Sequence, residues 1–142
     1  MLEQIGNLWD HPDDFRVITT NGIVTQKGDL VMGAGVALEA KTRYPELPKR
    51  LGRYVTEFGN KPAILHDLKL ITYPTKNHWR YASLISLIEE NGKIIARWIK
   101  EFNIPRVYLS KVACGNGQLL WADVCKVLLP IFDDRFIVLS RS

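Results

Sequence analysis

The sequence predicts a three-layer α/β/α domain with a mixed central sheet, and three observations predict it. Strand-like and helix-like segments alternate along the chain. Two glycine loops, Gly33-Ala34-Gly35 and Gly115-Asn116-Gly117, each lie between an extended segment and a helical one. The length, 142 residues, suits one domain, 1–142. Alternation of this kind builds a sheet with helices on both faces. Ligands in such sheets sit beyond the strand ends, where glycine loops open helices.

The elements follow in order. Leu2 to Ile5 reads as a short strand, and Phe15-Arg16-Val17-Ile18-Thr19 as a second, β-branched and aromatic. Asn21-Gly22 and Lys27-Gly28-Asp29 are turn signals. From Ala34, the positions Val36, Ala37, Ala40 and Tyr44 have helical spacing, and Pro45 ends that helix. Leu47, Leu51, Tyr54, Val55 and Phe58 mark a second helix, stopped by Gly59. Ala63-Ile64-Leu65 and Leu68 to Tyr73 read as strands with Asp67 at the bend.

Leu84, Leu87, Ile88, Ile95, Trp98, Ile99 and Phe102 mark the longest helix. Ser83 is its candidate cap, and Gly92 is expected to interrupt it. Val107-Tyr108-Leu109 is a strand running into the second glycine loop. A helix over Leu120 to Leu129 and a last strand over Phe136 to Leu139 complete the alternation.

Composition narrows the function classes. Hydrophobic residues are 46% and charged residues 24%, as in an ordinary soluble globule. No apolar run approaches the roughly 18 residues of a membrane span, and the N-terminus lacks a signal-peptide layout, so a cytoplasmic location without membrane contact is expected. Cys114 and Cys125 form no C-x-x-C pair, and His11, His66 and His78 lack metal spacing. No metal site is expected, and Cys125 in particular reads as an apolar core thiol. The formal charge of +4 and pI of about 9.1 suit an anionic ligand such as a phosphate ester, or a nucleic acid. The basic run Lys41, Arg43, Lys49, Arg50 and Arg53 reads as a solvated helix face.

The glycine loops carry the chemistry. Glycine costs about 1 kcal/mol against alanine inside a helix, so its presence at a helix entrance needs a reason. It permits positive φ and close approach to backbone N–H groups. A helix N-terminus adds unpaired donors and roughly half a positive charge. One such loop makes a phosphate cradle, and two together suit a diphosphate. Neither loop is a dinucleotide or P-loop fingerprint, and each alone is more often a tight turn; it is their pairing that points to a phosphate site.

With these loops in order, the sequence resembles the macro domain family along nearly its whole length. Asn21-Gly22 followed by Val31-Met32-Gly33-Ala34-Gly35-Val36-Ala37-Leu38 resembles the family's first motif, and Ala113 to Gly117 with Leu119 and Trp121 its second phosphate loop. Tyr73-Pro74-Thr75-Lys76-Asn77-His78-Trp79-Arg80 is similar to a stretch of the DNA ADP-ribosyl glycohydrolase antitoxins, in the branch that also holds the terminal ADP-ribose protein glycohydrolase.

The resemblance implies ADP-ribose, or an ADP-ribosylated substrate, as partner, with no cofactor. It implies contacts from Asn7 and Leu8, from Gly33, Ala34, Gly35 and Val36, and from Cys114, Gly115, Asn116, Gly117, Gln118 and Leu119. It also implies that Asn21 faces the distal ribose and that Lys76 attacks its anomeric carbon. A lysine attacks only when neutral, so its pKa must fall through burial or a nearby cation.

Two departures stand out. Asn7 occupies the place of the family's adenine-recognising aspartate; it either accepts from an amino group through its carbonyl or serves as a turn residue. Gly117 stands where the protein glycohydrolase has an aspartate, which makes the DNA-directed relatives the closer match.

Three functions remain open on the sequence. The first is a hydrolase that removes ADP-ribose from nucleic acid or protein, with Trp79-Arg80 available for stacking and charge, although a tryptophan in such a place is more often a core or lid aromatic. The second is an ADP-ribose 1″-phosphate phosphatase with His78 as base. The third is a reader without chemistry. Oligomeric state is not encoded in any feature of the chain.

Overall fold

Apolar residues at alternate strand positions place one helical layer on each face of a six-stranded sheet. The computed structural model describes residues 1–141. The strands are β1 (Leu2–Ile5), β2 (Phe15–Thr20), β3 (Ile64–Leu65), β4 (Leu70–Pro74), β5 (Val107–Ser110) and β6 (Phe136–Ser140). The helices are α1 (Gly35–Arg43), α2 (Leu47–Phe58), α3 (Ile85–Glu101) and α4 (Trp121–Leu128), with a short 3-10 turn at Leu8–Asp10. The strand order is β1-β6-β5-β2-β4-β3, parallel except for the antiparallel pair β3 and β4. The sheet is therefore mixed and the fold a three-layer α/β/α sandwich.

Successive strand side chains point to opposite faces. Ile71, Tyr73, Val107, Leu109, Phe136 and Val138 meet Ile88, Ile95 and Ile99 of α3 and Val124 and Leu128 of α4. Ile18, Leu70, Tyr108, Ile137 and Leu139 meet Ala37 and Ala40 of α1 and Leu47 and Leu51 of α2. Each fully buried aliphatic side chain contributes about 1.5–3 kcal/mol, so these two clusters hold the layers together. The edge strand β1 is exposed along its length, and Ile5 is 76% exposed.

Several expectations are corrected. Ser83 does not cap α3: Leu84 holds the N-cap position with no side-chain bond, and Ser83 Oγ lies 3.2 Å from Thr75 Oγ1 instead. Leu84 is accordingly exposed rather than on the buried face. Gly92 does not interrupt α3. A Cβ there would lie 2.6 Å from Tyr73 Oη, so the glycine lets the helix settle onto β4. Cys125 is half-buried on α4 and stands outside both core clusters. The basic run on α1 and α2 is exposed as expected, with Arg50 paired to Asp67 at 2.7 Å and Arg43 over the Trp9 ring.

The α3 contact fixes the end of β4. Tyr73 Oη donates to Ile88 O, and the buried Asn91 donates from Nδ2 to Pro74 O at 2.9 Å. Burial pushes the Tyr73 phenol well above its usual pKa, so it stays a donor. Two helix-borne anchors thus hold the chain just before Thr75 and Lys76. Among the described residues, no helix is long and apolar enough to cross a membrane.

Candidate functional site

The carboxyl ends of β2, β4 and β5 open into one cavity of about 670 Å³. Thr19, Thr20, Asn21, Thr75 and Ser110 form its base, and both glycine loops form its walls. This is where an open α/β sheet binds ligands, because helix starts and loops converge there.

Gly35 begins α1 at φ +58, a left-handed conformation in which a side chain is strained. A Cβ on it would also stand 2.9 Å from Asn116 Nδ2, so the two loops touch. The first intrahelical bond runs from Leu38 N to Ala34 O at 3.2 Å. The N–H groups of Gly35, Val36 and Ala37 precede that bond and are left unused by the helix. All three residues line the cavity, as do Gly33 and Ala34. The α1 N-terminus therefore faces the cavity with its positive end.

The second loop differs from expectation. Its positive φ angles fall on Ala113 (63°) and Gln118 (65°), not on its glycines. Gly117 is required for space: a Cβ would lie 2.4 Å from Ala113 O and 2.6 Å from Ser83 Oγ. Leu119 N donates to Ala113 O at 3.0 Å, and Ser83 N to Gly117 O at 2.9 Å. Helix α4 starts only at Trp121, so this loop stands ahead of the helix entrance and its donors are those of the loop backbone. Gly115, Asn116, Gly117 and Gln118 line the cavity. Cys114 and Leu119 do not; they pack against the core cluster beneath α3 and α4.

Asn21 is buried and its amide is engaged on both sides. Nδ2 donates to Val31 O at 2.8 Å, and Oδ1 accepts from Ile23 N at 2.8 Å. It pins the chain leading into the first loop while lining the cavity. Lys76 also lines it, and Nζ donates to Trp79 O at 3.3 Å and Asn116 O at 3.2 Å. Burial holds the Lys76 amine below the usual lysine pKa.

The charge pattern is one-sided. Lys76, Arg80 and Lys111 line the main cavity, and no carboxylate does among the described residues. Arg80 lies over the Trp79 ring at 5.3 Å, and Trp79 is 46% exposed at the rim, a lid aromatic rather than a core one. Lys111 escaped the sequence reading. Its only signal was a cation directly after a strand end, which becomes meaningful when β5 lies beside β2.

Asn7 and His78 stand apart. Asn7 Oδ1 caps the 3-10 turn by accepting from Trp9 N at 2.9 Å, and Asn7 lines neither cavity. The turn-residue reading is the one its contacts match. Leu8 lines a second, smaller cavity of about 220 Å³ with Gly6, Glu39, Leu139 and Arg141. His78 Nδ1 accepts from Arg80 N at 3.1 Å and does not line the main cavity. Among the described residues, no group of three or more His, Cys, Asp or Glu could hold a metal ion.

No family model matches the chain. A DNA ADP-ribosyl glycohydrolase of Mycobacterium tuberculosis is 36% identical over 114 residues, covering 72% of this chain and 32% of that protein. A DNA ADP-ribosyl glycohydrolase of Thermus aquaticus is 30% identical over 128 residues, covering 84% of this chain and 34% of that protein. The chain thus spans about a third of the length of these curated relatives. The solved macrodomain of Mycobacterium tuberculosis DarG superposes with a TM-score of 0.79 at 29% identity, over 99% of this chain and 97% of that one. With the paired glycine loops at the strand ends and these likenesses in both sequence and fold, the chain belongs to the macro domain family.

Proposed function

We propose that this chain binds ADP-ribose in the main cavity and removes it from DNA, with Lys76 as nucleophile. The observation that carries the reading is the joint lining of one cavity by both glycine loops, the α1 N-terminus and three cations, with no carboxylate among the described residues. Such a site suits a diphosphate. The names of the two curated relatives supply the class of substrate.

In this reading the diphosphate lies between the Gly33 to Val36 segment and the Gly115 to Gln118 segment. The distal ribose reaches Asn21 and Lys76. The neutral Lys76 amine attacks the anomeric carbon, the glycosidic bond to the base breaks, and its electron pair leaves with the base nitrogen. The proton shed by Lys76 neutralises that nitrogen. Water then displaces the lysine, giving free ADP-ribose and restoring the amine. Burial favours the neutral amine, while Trp79 O and Asn116 O aim it.

His78, the base a 1″-phosphate phosphatase would use, is held by Arg80 N away from the cavity. That reading therefore loses the base the sequence offered it. The decisive test is release of ADP-ribose from an ADP-ribosylated DNA oligonucleotide, followed chromatographically, with Lys76→Ala beside the wild type. We expect turnover to fall by at least about 100-fold while ADP-ribose affinity, read by calorimetry, stays within about threefold. Binding without turnover in the wild type would make the chain a reader.

A further inference from the structure

The rim of the main cavity carries an aromatic cluster that the lysine chemistry leaves unused. Trp79 and Tyr81 are 46% and 65% exposed. The His78 ring lies against both, with centroids 5.3 Å from Trp79 and 5.2 Å from Tyr81. Exposed rings gathered in one place mark an interaction surface, where single ones would not. The cluster is held as a tight turn: Tyr81 N donates to His78 O at 3.3 Å, and Arg80 N to His78 Nδ1 at 3.1 Å.

This turn is joined to the reacting group. Trp79 O accepts from Lys76 Nζ at 3.3 Å, so the amine touches it directly. Trp79 and Arg80 line the main cavity, while His78 and Tyr81 line neither cavity. The charge around the rings is of one sign. From Lys76 to Ile88 the chain holds no Asp or Glu, and the Arg80 guanidinium lies 5.3 Å from the Trp79 ring. Exposed rings beside a cation are the makeup of a surface that follows a nucleic acid strand: rings take base faces and cations take phosphates.

We infer that Tyr81, braced by His78, stacks on the nucleotide next to the modified base, so that the chain reads the strand as well as the ADP-ribose. This rests on the reading that the chain acts on ADP-ribosylated DNA through Lys76. A base attached to the sugar carbon that Lys76 attacks is still part of its strand, and the strand leaves the site across the rim. Trp79, which lines the cavity, meets the modified base. Tyr81, which does not, is reached only by a neighbour. Arg80 stands between the two in sequence and suits the phosphate that links the two nucleotides.

The test compares kcat/KM for release of ADP-ribose from two probes, with wild type, Tyr81→Ala and Tyr81→Phe. One probe is an ADP-ribosylated single-stranded DNA oligonucleotide, and the other is the ADP-ribosylated nucleoside made from it by nuclease and phosphatase digestion. The ratio of the two values on one sample is independent of the active fraction. The wild type is expected to favour the oligonucleotide by about fivefold or more, the worth of one base stacked on an aromatic ring. Tyr81→Ala should cut that ratio by about fivefold or more, mainly through KM, and Tyr81→Phe, which keeps the ring, should preserve it. A wild type indifferent to strand length, an unchanged ratio in Tyr81→Ala, or an equal loss in Tyr81→Phe overturns the inference while the proposed function stands. A wild type that releases ADP-ribose from neither probe overturns this inference and the proposed function together.

Discussion

Replacing each of three glycines by alanine separates the ways in which the loops depend on glycine. At Gly35 the φ of +58 puts alanine in left-handed backbone, a strain of about 1–2 kcal/mol. The contact with Asn116 Nδ2 adds little, because a side-chain end can rotate away. Alanine also restricts the unfolded chain, returning about 0.4–1 kcal/mol, so the net loss at Gly35 is about 1 kcal/mol. At Gly117 the new Cβ meets backbone, Ala113 O at 2.4 Å and Ala113 Cα at 2.6 Å. Nothing flexible can yield there, and overpacking of this kind costs about 1–3 kcal/mol.

At Gly33 no atom lies within 4 Å of the added Cβ and φ is ordinary. Stability should hold or rise slightly there. Thermal unfolding followed by circular dichroism reads the order, at roughly 2–6 °C per kcal/mol for a chain of this size. ADP-ribose affinity reads the other half: Gly33→Ala should weaken binding by about tenfold without loss of stability, since its methyl occupies space that the proposed diphosphate needs. Equal melting losses for Gly33→Ala and Gly117→Ala would refute the geometric argument.

Two further outcomes follow from the region around Lys76. Its amine must be neutral to attack, so turnover should rise with pH and level off below the usual lysine value of 10.5, and Lys76→Arg, which cannot shed its proton, should be inactive at every pH; a flat pH profile refutes the nucleophile. Because the folded-state pKa is depressed, the wild type carries a stability penalty below that pKa which disappears above 10.5, so the melting advantage of Lys76→Met should shrink as pH rises. Asn91→Leu removes the bond to Pro74 O but also removes the unpaired Asn91 Oδ1. Each change is worth about 1–3 kcal/mol and they oppose one another, so stability should move by about 1 kcal/mol or less while turnover falls about tenfold or more as Lys76 loses its anchor; intact turnover refutes the positioning role.

Local pattern carried most of the fold. The apolar alternation in β4, β5 and β6 and the helical spacing in α2 and α3 depend on neighbours within a few residues, and such signals are written in order along the chain. The two glycine loops were legible for the same reason, and so was Lys76 beside Trp79 and Arg80. Ser83 and Gly92 misled because their partners, Thr75 and Tyr73, lie across the fold. Lys111 was invisible because a single cation gains a role only when strand order sets β5 beside β2. The positive φ angles of Ala113 and Gln118 could not be foreseen, since neither residue type favours them. Cys114 and Leu119 sit in the right loop but point inward, and a loop of mixed φ sign leaves no period from which to tell the two sides apart.

The ammonium of Lys76, resting on Trp79 O and Asn116 O, is also a latch across the mouth of its own cleft. It staples the segment after β4 to the second glycine loop. In the proposed mechanism, a sugar that takes the amine must first unfasten this staple. If the proposed mechanism holds, loss of Lys76 would do two things at once: remove the reacting atom and leave this staple unfastened, so that ligands enter and leave faster while turnover is lost.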